Sequence, residues 1–155
     1  MKRYFIAAVV VALLASAGVA VAATTNVTVN ATVNASCVFR TVPTVVFPDL
    51  DPTTGGAVDS PTVNLTFNCT RGVPYTLSDE NNVGVADGTY SGNLSNGPGD
   101  TIAYTLTYTV PSGSGGGNGV GNAITSEITG HIVAGAYDTA PAGAYTDTVT
   151  FTISP

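Results

Sequence analysis

Hydrophobic and polar residues alternate along most of this chain with a period of two. Over residues 26–36, Val27, Val29, Ala31, Val33 and Ala35 share one parity, and Cys37 continues it. Asn26, Thr28, Asn30, Thr32, Asn34 and Ser36 take the other parity. A period of two belongs to an extended strand with one dry face and one wet face. The same alternation places Val63, Leu65, Phe67 and Cys69 together, then Val73, Tyr75 and Leu77, and then Ile102, Tyr104, Leu106, Tyr108 and Val110. Ile124, Ile128 and Ile132 share an inward parity with Ser126 and Gly130 between them. A last strand over 145–153 carries Val149, Phe151 and Ile153 inward against Thr148, Thr150 and Thr152.

Turn chemistry separates these runs. Pro48-Asp49, Asp51-Pro52, Gly55-Gly56 and Ser60-Pro61 break the chain between 48 and 61. Pro43 interrupts the apolar stretch from Val38 to Phe47, where a bulge or a strand switch is expected. Residues 78–101 read as hairpin loops with short strands of undefined limits, and Ser112–Gly121 reads as a flexible glycine-rich loop. Thr, Val and Tyr dominate the periodic segments, and no helical apolar stripe is present. Seven or eight short strands predict an all-β sandwich or barrel, with a Greek-key sandwich preferred.

The N-terminus is set apart. Lys2 and Arg3 precede an apolar run from Ile6 to Ala15, and Ala20-Val21-Ala22 supplies small residues for cleavage. Residues 1–22 therefore read as a secretory signal peptide, with a membrane anchor as the alternative. No other run is long enough to span a membrane, so no stable membrane insertion is expected. Beyond residue 22 the only basic residues are Arg40 and Arg71, against ten acidic ones. Two arginines cannot build a basic patch, which argues against nucleic acid and anionic membrane surfaces as partners. No lysine remains there, which removes Schiff-base and phosphate-loop chemistry. Cys37 and Cys69 are the only cysteines. In an exported chain the expectation is a disulfide between them rather than a redox pair, because their spacing is far from C-x-x-C.

Candidate chemistry is sparse, and no enzyme, cofactor or metal site is expected. His131 is the single histidine and lies on the outward parity of its strand. Most carboxylates fall in turns, where they have an ordinary role. Asp79-Glu80 and Asp49-x-Asp51 lack the spacing of a calcium loop. Six Asn-x-Ser/Thr sequons follow from alternating Asn and Thr on wet faces, and glycosylation is not inferred from them. Tyr145 falls on the apolar parity of the last strand, either as a tyrosine-corner residue or as an ordinary core-edge aromatic. Asp147 shares that parity and is placed to accept hydrogen bonds at the mouth of the sandwich.

Several segments in order resemble the spore coat protein U family, which includes subunits of archaic chaperone–usher pili. They are the alternating strand leading to Cys37, the run Phe47-Pro48-Asp49-Leu50-Asp51-Pro52, and the run Asn68-Cys69-Thr70-Arg71-Gly72-Val73-Pro74-Tyr75. Ala103–Tyr108 and the ending Gly143–Phe151 complete the set. Pro48 and Leu50 stand where the family has glycine and tyrosine, and Gly130-His131-Ile132 stands for Gly-Arg-Ile. The resemblance implies an immunoglobulin-like Greek-key β-sandwich over 37–155 that lacks one strand. It implies that residues 23–36 act as a donor strand, through Val27, Val29, Ala31, Val33 and Ala35, for a neighbouring subunit. Val149, Phe151 and Ile153 are then expected in the acceptor groove. The implied partners are other copies or homologous subunits, a periplasmic chaperone and an outer-membrane usher. The implied location is a surface fimbrium or pilus, reached through the periplasm, with a role in adhesion or biofilm formation.

The residues themselves point the same way. An amphipathic strand cannot stand alone in water, and no Gly or Pro lies between Val27 and Cys37 to fold it back. Neither 26–36 nor 145–153 carries the lysines or prolines that protect edges. Nothing is expected after Pro155 to cover a groove. The alternatives are a single bent strand over 26–42 in an ordinary monomer, a secreted monomer binding sugar through Tyr90, Tyr137 and its loops, and a coat protein that self-associates without fibres.

Overall fold

In a computed structural model, residues 21–155 are described, apart from Ala86 and Pro98. The chain divides into two units, residues 1–32 and 33–155. In the first, the described residues 21–32 are exposed and form no helix or strand. The expected leader lies almost wholly outside the described residues. Among those described, no helix is long and apolar enough to cross a membrane.

The second unit is an antiparallel, immunoglobulin-like β-sandwich. Its strands are β1 (Cys37–Thr41), β2 (Val58–Asp59), β3 (Val63–Cys69), β4 (Thr76–Asp79), β5 (Thr89–Ser95), β6 (Thr101–Tyr108), β7 (Ile124–Ile132) and β8 (Phe151–Ser154). The larger sheet runs β1-β3-β7-β6-β5, with β2 also paired to β7, and β4 pairs with β8 in a second sheet. Period-two alternation creates these strands because it gives each one a face to bury. In β6, Ile102, Tyr104, Leu106 and Tyr108 are buried, while Thr101, Ala103 and Thr107 are exposed. Leu65 and Phe67 from β3, Leu77 from β4, and Ile128 and Ile132 from β7 join them in the core. Removing a side chain such as Phe67, which is fully buried, from water contributes about 1.5–3 kcal/mol.

Several expectations shift. Residues 26–36 form no strand, since a strand needs a partner to take its backbone hydrogen bonds. The last strand contracts to β8, and 147–150 carry no strand assignment. The strand expected from Val73 begins at Thr76, because Pro74 has no N–H and makes only a bridge with Ser114. The bulge lies between Phe39 and Thr41, upstream of Pro43. Residues 78–101 contain a full strand, β5, in which Tyr90, Gly92 and Leu94 alternate inward.

The glycine-rich loop is not free. Gly115 exchanges hydrogen bonds with Gly72 and Val73, and Gly117 N–H donates to the Cys69 carbonyl. The buried Asn68 amide donates to the carbonyls of Gly117 and Gly119, both at 3.1 Å. A Cβ at Gly115 would lie 2.4 Å from the Cys69 and Thr70 carbonyl oxygens, so only glycine allows this approach. Composition alone suggests a flexible loop; its backbone groups instead find partners on the turn after β3.

Candidate functional site

The sandwich carries a groove between two chain segments that pair with nothing. Residues 42–50 leave β1, and residues 147–150 lead into β8. Among the described residues, neither segment makes a backbone–backbone hydrogen bond. The groove has two connected parts of about 680 and 300 Å³ that share Thr44, Val45, Phe47, Leu94 and Asp147. Its floor is the core itself: Leu65, Tyr104, Leu106 and Ile128 line the smaller part, and Ile102 reaches the larger.

The walls alternate in the manner of strands. Val45 and Phe47 pack against the core, whereas Val42 and Val46 are exposed. Phe47 holds its wall in place by lying on Gly130 of β7 and edge-on to Tyr104, with ring centres 6.1 Å apart. A Cβ at Gly130 would lie 2.5 Å from the Phe47 ring, so a larger residue there would push this wall outward. On the opposite wall, Val149 and Phe151 line the smaller part. Phe151 packs perpendicular to Tyr108 at 5.1 Å. Ile153 lies outside the lining and pairs with Leu77 across β8 and β4.

Asp147 is the ionisable side chain where the two parts meet. The Tyr104 hydroxyl donates to its Oδ2 at 2.8 Å, and the Thr148 N–H donates to its Oδ1 at 2.8 Å. Gly92 leaves room for this meeting, because a Cβ there would strike Tyr90, Tyr104 and Asp147. Two other inward tyrosines find carboxylates in the same way. Tyr108 donates to the fully buried Asp79 at 2.8 Å, and Tyr90 to Glu80 at 3.1 Å. Asp79 also accepts from the N–H groups of Asn81 and Asn82. Sequence placed Asp79 in a turn and missed this role. The signal was the inward parity of Tyr108, whose hydroxyl needed a partner.

Burial first, and then the neighbouring carboxylates, raise the pKa of all three tyrosine hydroxyls, with Tyr90 pushed up to about 12. A raised folded-state value favours the neutral hydroxyl. The stability it contributes is therefore complete below the unfolded tyrosine value of about 10 and is lost as pH rises above it. The denaturant midpoint is expected to be flat from pH 8 to 9.5 and to fall above about pH 10, together with phenolate absorbance. Tyr104→Phe should flatten that fall. A midpoint unchanged to pH 11.5 would contradict the arrangement.

The remaining candidates resolve as structural. Cys37 and Cys69 are disulfide-bonded across β1 and β3. His131 pairs with Asp59 at the β2–β7 edge. Asp51 caps its own turn through Thr53. Among the described residues, no three His, Cys, Asp or Glu side chains gather as metal ligands. The Tyr145 hydroxyl donates to the Pro141 carbonyl at 2.9 Å, four residues upstream, in the manner of a tyrosine corner. Tyr137 and Tyr90, the aromatics offered for sugar stacking, are only 2 % and 6 % exposed and cannot present their faces. Of the donor residues, Val27, Val29 and Val33 are 81–87 % exposed, and Ala31 and Ala35 are exposed too.

The model of the Spore Coat Protein U domain matches residues 23–152 of the chain. Comparison with curated proteins and with solved structures returned no match.

Proposed function

The chain belongs to the Spore Coat Protein U domain family, a structural and non-enzymatic family of surface fimbrial and coat proteins, and from that premise we propose that it is a pilus shaft subunit. Subunits join by donor-strand complementation. Residues 23–36 of one copy enter the groove of the next and pair with its 42–50 and 147–150 segments. The observation that carries this reading is the groove itself: two unpaired walls over an apolar floor of core residues.

Donor and groove fit in chemistry. Val27, Val29 and Val33 share one parity and are exposed in the free chain, while the groove is lined by Val45, Phe47, Val149 and Phe151 over the buried Leu65, Leu106 and Ile128. Burying each valine contributes about 1.5–3 kcal/mol, and each ladder hydrogen bond adds about 0.5–1.5 kcal/mol. Ordering the strand opposes this by roughly 1–2 kcal/mol per residue. Before assembly, a periplasmic chaperone covers the groove; an outer-membrane usher then exchanges the chaperone for the next subunit's extension. A family match beginning at residue 23 supports a leader ending at Ala22 and export to the cell surface. Adhesion or biofilm formation is the role such a fibre would serve.

The test is parity. With chaperone and usher co-expressed, Val29→Asp should reduce polymer by about tenfold or more, because a carboxylate would enter an apolar groove. Thr28→Asp, on the wet face, should remain within about twofold of the parent. Equal effects of the two substitutions would remove the assigned donor face. The sugar-binding monomer loses its aromatic platform, because Tyr90 and Tyr137 are spent in the core.

A further inference from the structure

A subunit that carries both donor strand and groove faces an intramolecular competitor. Its own residues 26–33 could turn back beside β1 and residues 42–47 and fill its own groove. β1 is at the end of its sheet, so that edge is open. With no Gly or Pro between Val27 and Cys37, such a hairpin has to turn through residues 34–36.

Those residues are held by Thr70. Cys37 lies opposite Cys69, so the next antiparallel step sets Ser36 opposite Thr70. Thr70 N–H donates to the Ser36 carbonyl at 2.9 Å, which extends the ladder by that step. The return bond does not go to the Thr70 carbonyl, which accepts from Val73 N–H at 3.1 Å as the chain turns away. The Thr70 hydroxyl takes its place and accepts the Ser36 N–H at 3.0 Å. The same hydroxyl has the Asn34 and Ser36 carbonyls at 3.3 and 3.2 Å as acceptors for its own proton. The turn bearing Thr70 is itself braced from the other side by Gly115 and Gly117.

We infer that Thr70 is a positioning residue that keeps residues 34–36 in line with β1 and so prevents the subunit from completing itself. Donor-strand exchange is thereby kept between copies. This rests on the donor-strand reading above. The hydroxyl is the operative group because it is the atom that meets the Ser36 N–H and the Asn34 and Ser36 carbonyls. Serine should replace threonine, and isosteric valine should not.

The experiment uses the full exported chain. The monomer fraction on unheated detergent gels and the hydrogen-exchange protection of residues 26–33 in purified monomer are measured for the parent, Thr70→Val and Thr70→Ser. Loss of an ordinary hydrogen bond shifts such an equilibrium by about two- to tenfold. Thr70→Val should raise both readouts by that factor, and Thr70→Ser should match the parent. Loss of fold stability alone would not protect 26–33. Should Thr70→Val fail to fold, Thr70→Ala removes the same hydroxyl and should give the same shift. Parent-like values in whichever variant lacking the Thr70 hydroxyl folds would overturn the clasp. If deletion of residues 23–34 still stops polymerisation in that case, the donor-strand reading survives; if it does not, that reading fails first.

Discussion

Removing residues 23–34 is expected to abolish the ladder of polymers that the chain forms with its chaperone and usher, leaving the chaperone-bound subunit intact. The two parts of the result have separate causes. The truncated chain keeps the groove between 42–50 and 147–150 and the core residues beneath it, so a chaperone strand can still bind. It loses Val27, Val29, Ala31 and Val33, which form nearly the whole apolar parity that a neighbour's groove would receive. The three valines alone represent about 4.5–9 kcal/mol of burial at about 1.5–3 kcal/mol each. Ladder hydrogen bonds cannot replace that, since each is worth only about 0.5–1.5 kcal/mol net. The loss should therefore be complete. Unheated detergent gels read the ladder, and co-purification reads the chaperone complex. An unchanged ladder would end the donor-strand proposal.

Reducing the Cys37–Cys69 bond, or replacing both residues with serine, should lower the stability of the sandwich by about 3–4 kcal/mol. The bond closes a loop of 32 residues, and cutting it returns that loop's freedom to the unfolded chain. For a domain of this size the melting temperature should fall by about 10 °C. The site also matters locally. Beyond its bulge at Arg40, β1 adds only Thr41↔Thr66, and the strand contributes few deeply buried side chains. Without the covalent tie, β1 would be the first strand to fray, and the wall over 42–50 would loosen with it. Calorimetry with and without reductant checks the magnitude, and hydrogen exchange checks that β1 opens first. Exported protein with two free thiols by mass would defeat the premise.

Much of this was legible in the residues. The inward sets of β3, β6 and β7 follow directly from period two, because alternation leaves each strand only one way to face the core. The cysteine pairing needed only a count and a compartment. Parity put Tyr145 on the apolar side as either a tyrosine corner or a core-edge aromatic, and the hydrogen bond of its hydroxyl to the Pro141 carbonyl fits the corner. Other features depended on contacts distant in sequence. Nothing local to Asp79 announces that it is fully buried beneath Tyr108, and nothing local to Phe47 announces Gly130. Val149 and Phe151 line the smaller part of the groove, whereas Ile153 lies opposite Leu77 and packs against the core. The glycine-rich loop was misjudged because composition reports freedom and not the hydrogen-bond partners that remove it.

The sequence by itself determined which side chains seek burial, where the chain must turn, and that residues 26–36 carry an apolar face with no local means of hiding it. Those are properties of single segments, set by alternation and by the stereochemistry of glycine and proline. Only the tertiary structure decided that 42–50 and 147–150 stand apart over the core, that Asp147 meets Tyr104 between them, and that Thr70 holds the start of β1. Each of these is a contact between segments far apart along the chain. It exists only once the sheet order has brought them together, and no periodicity within either segment encodes it.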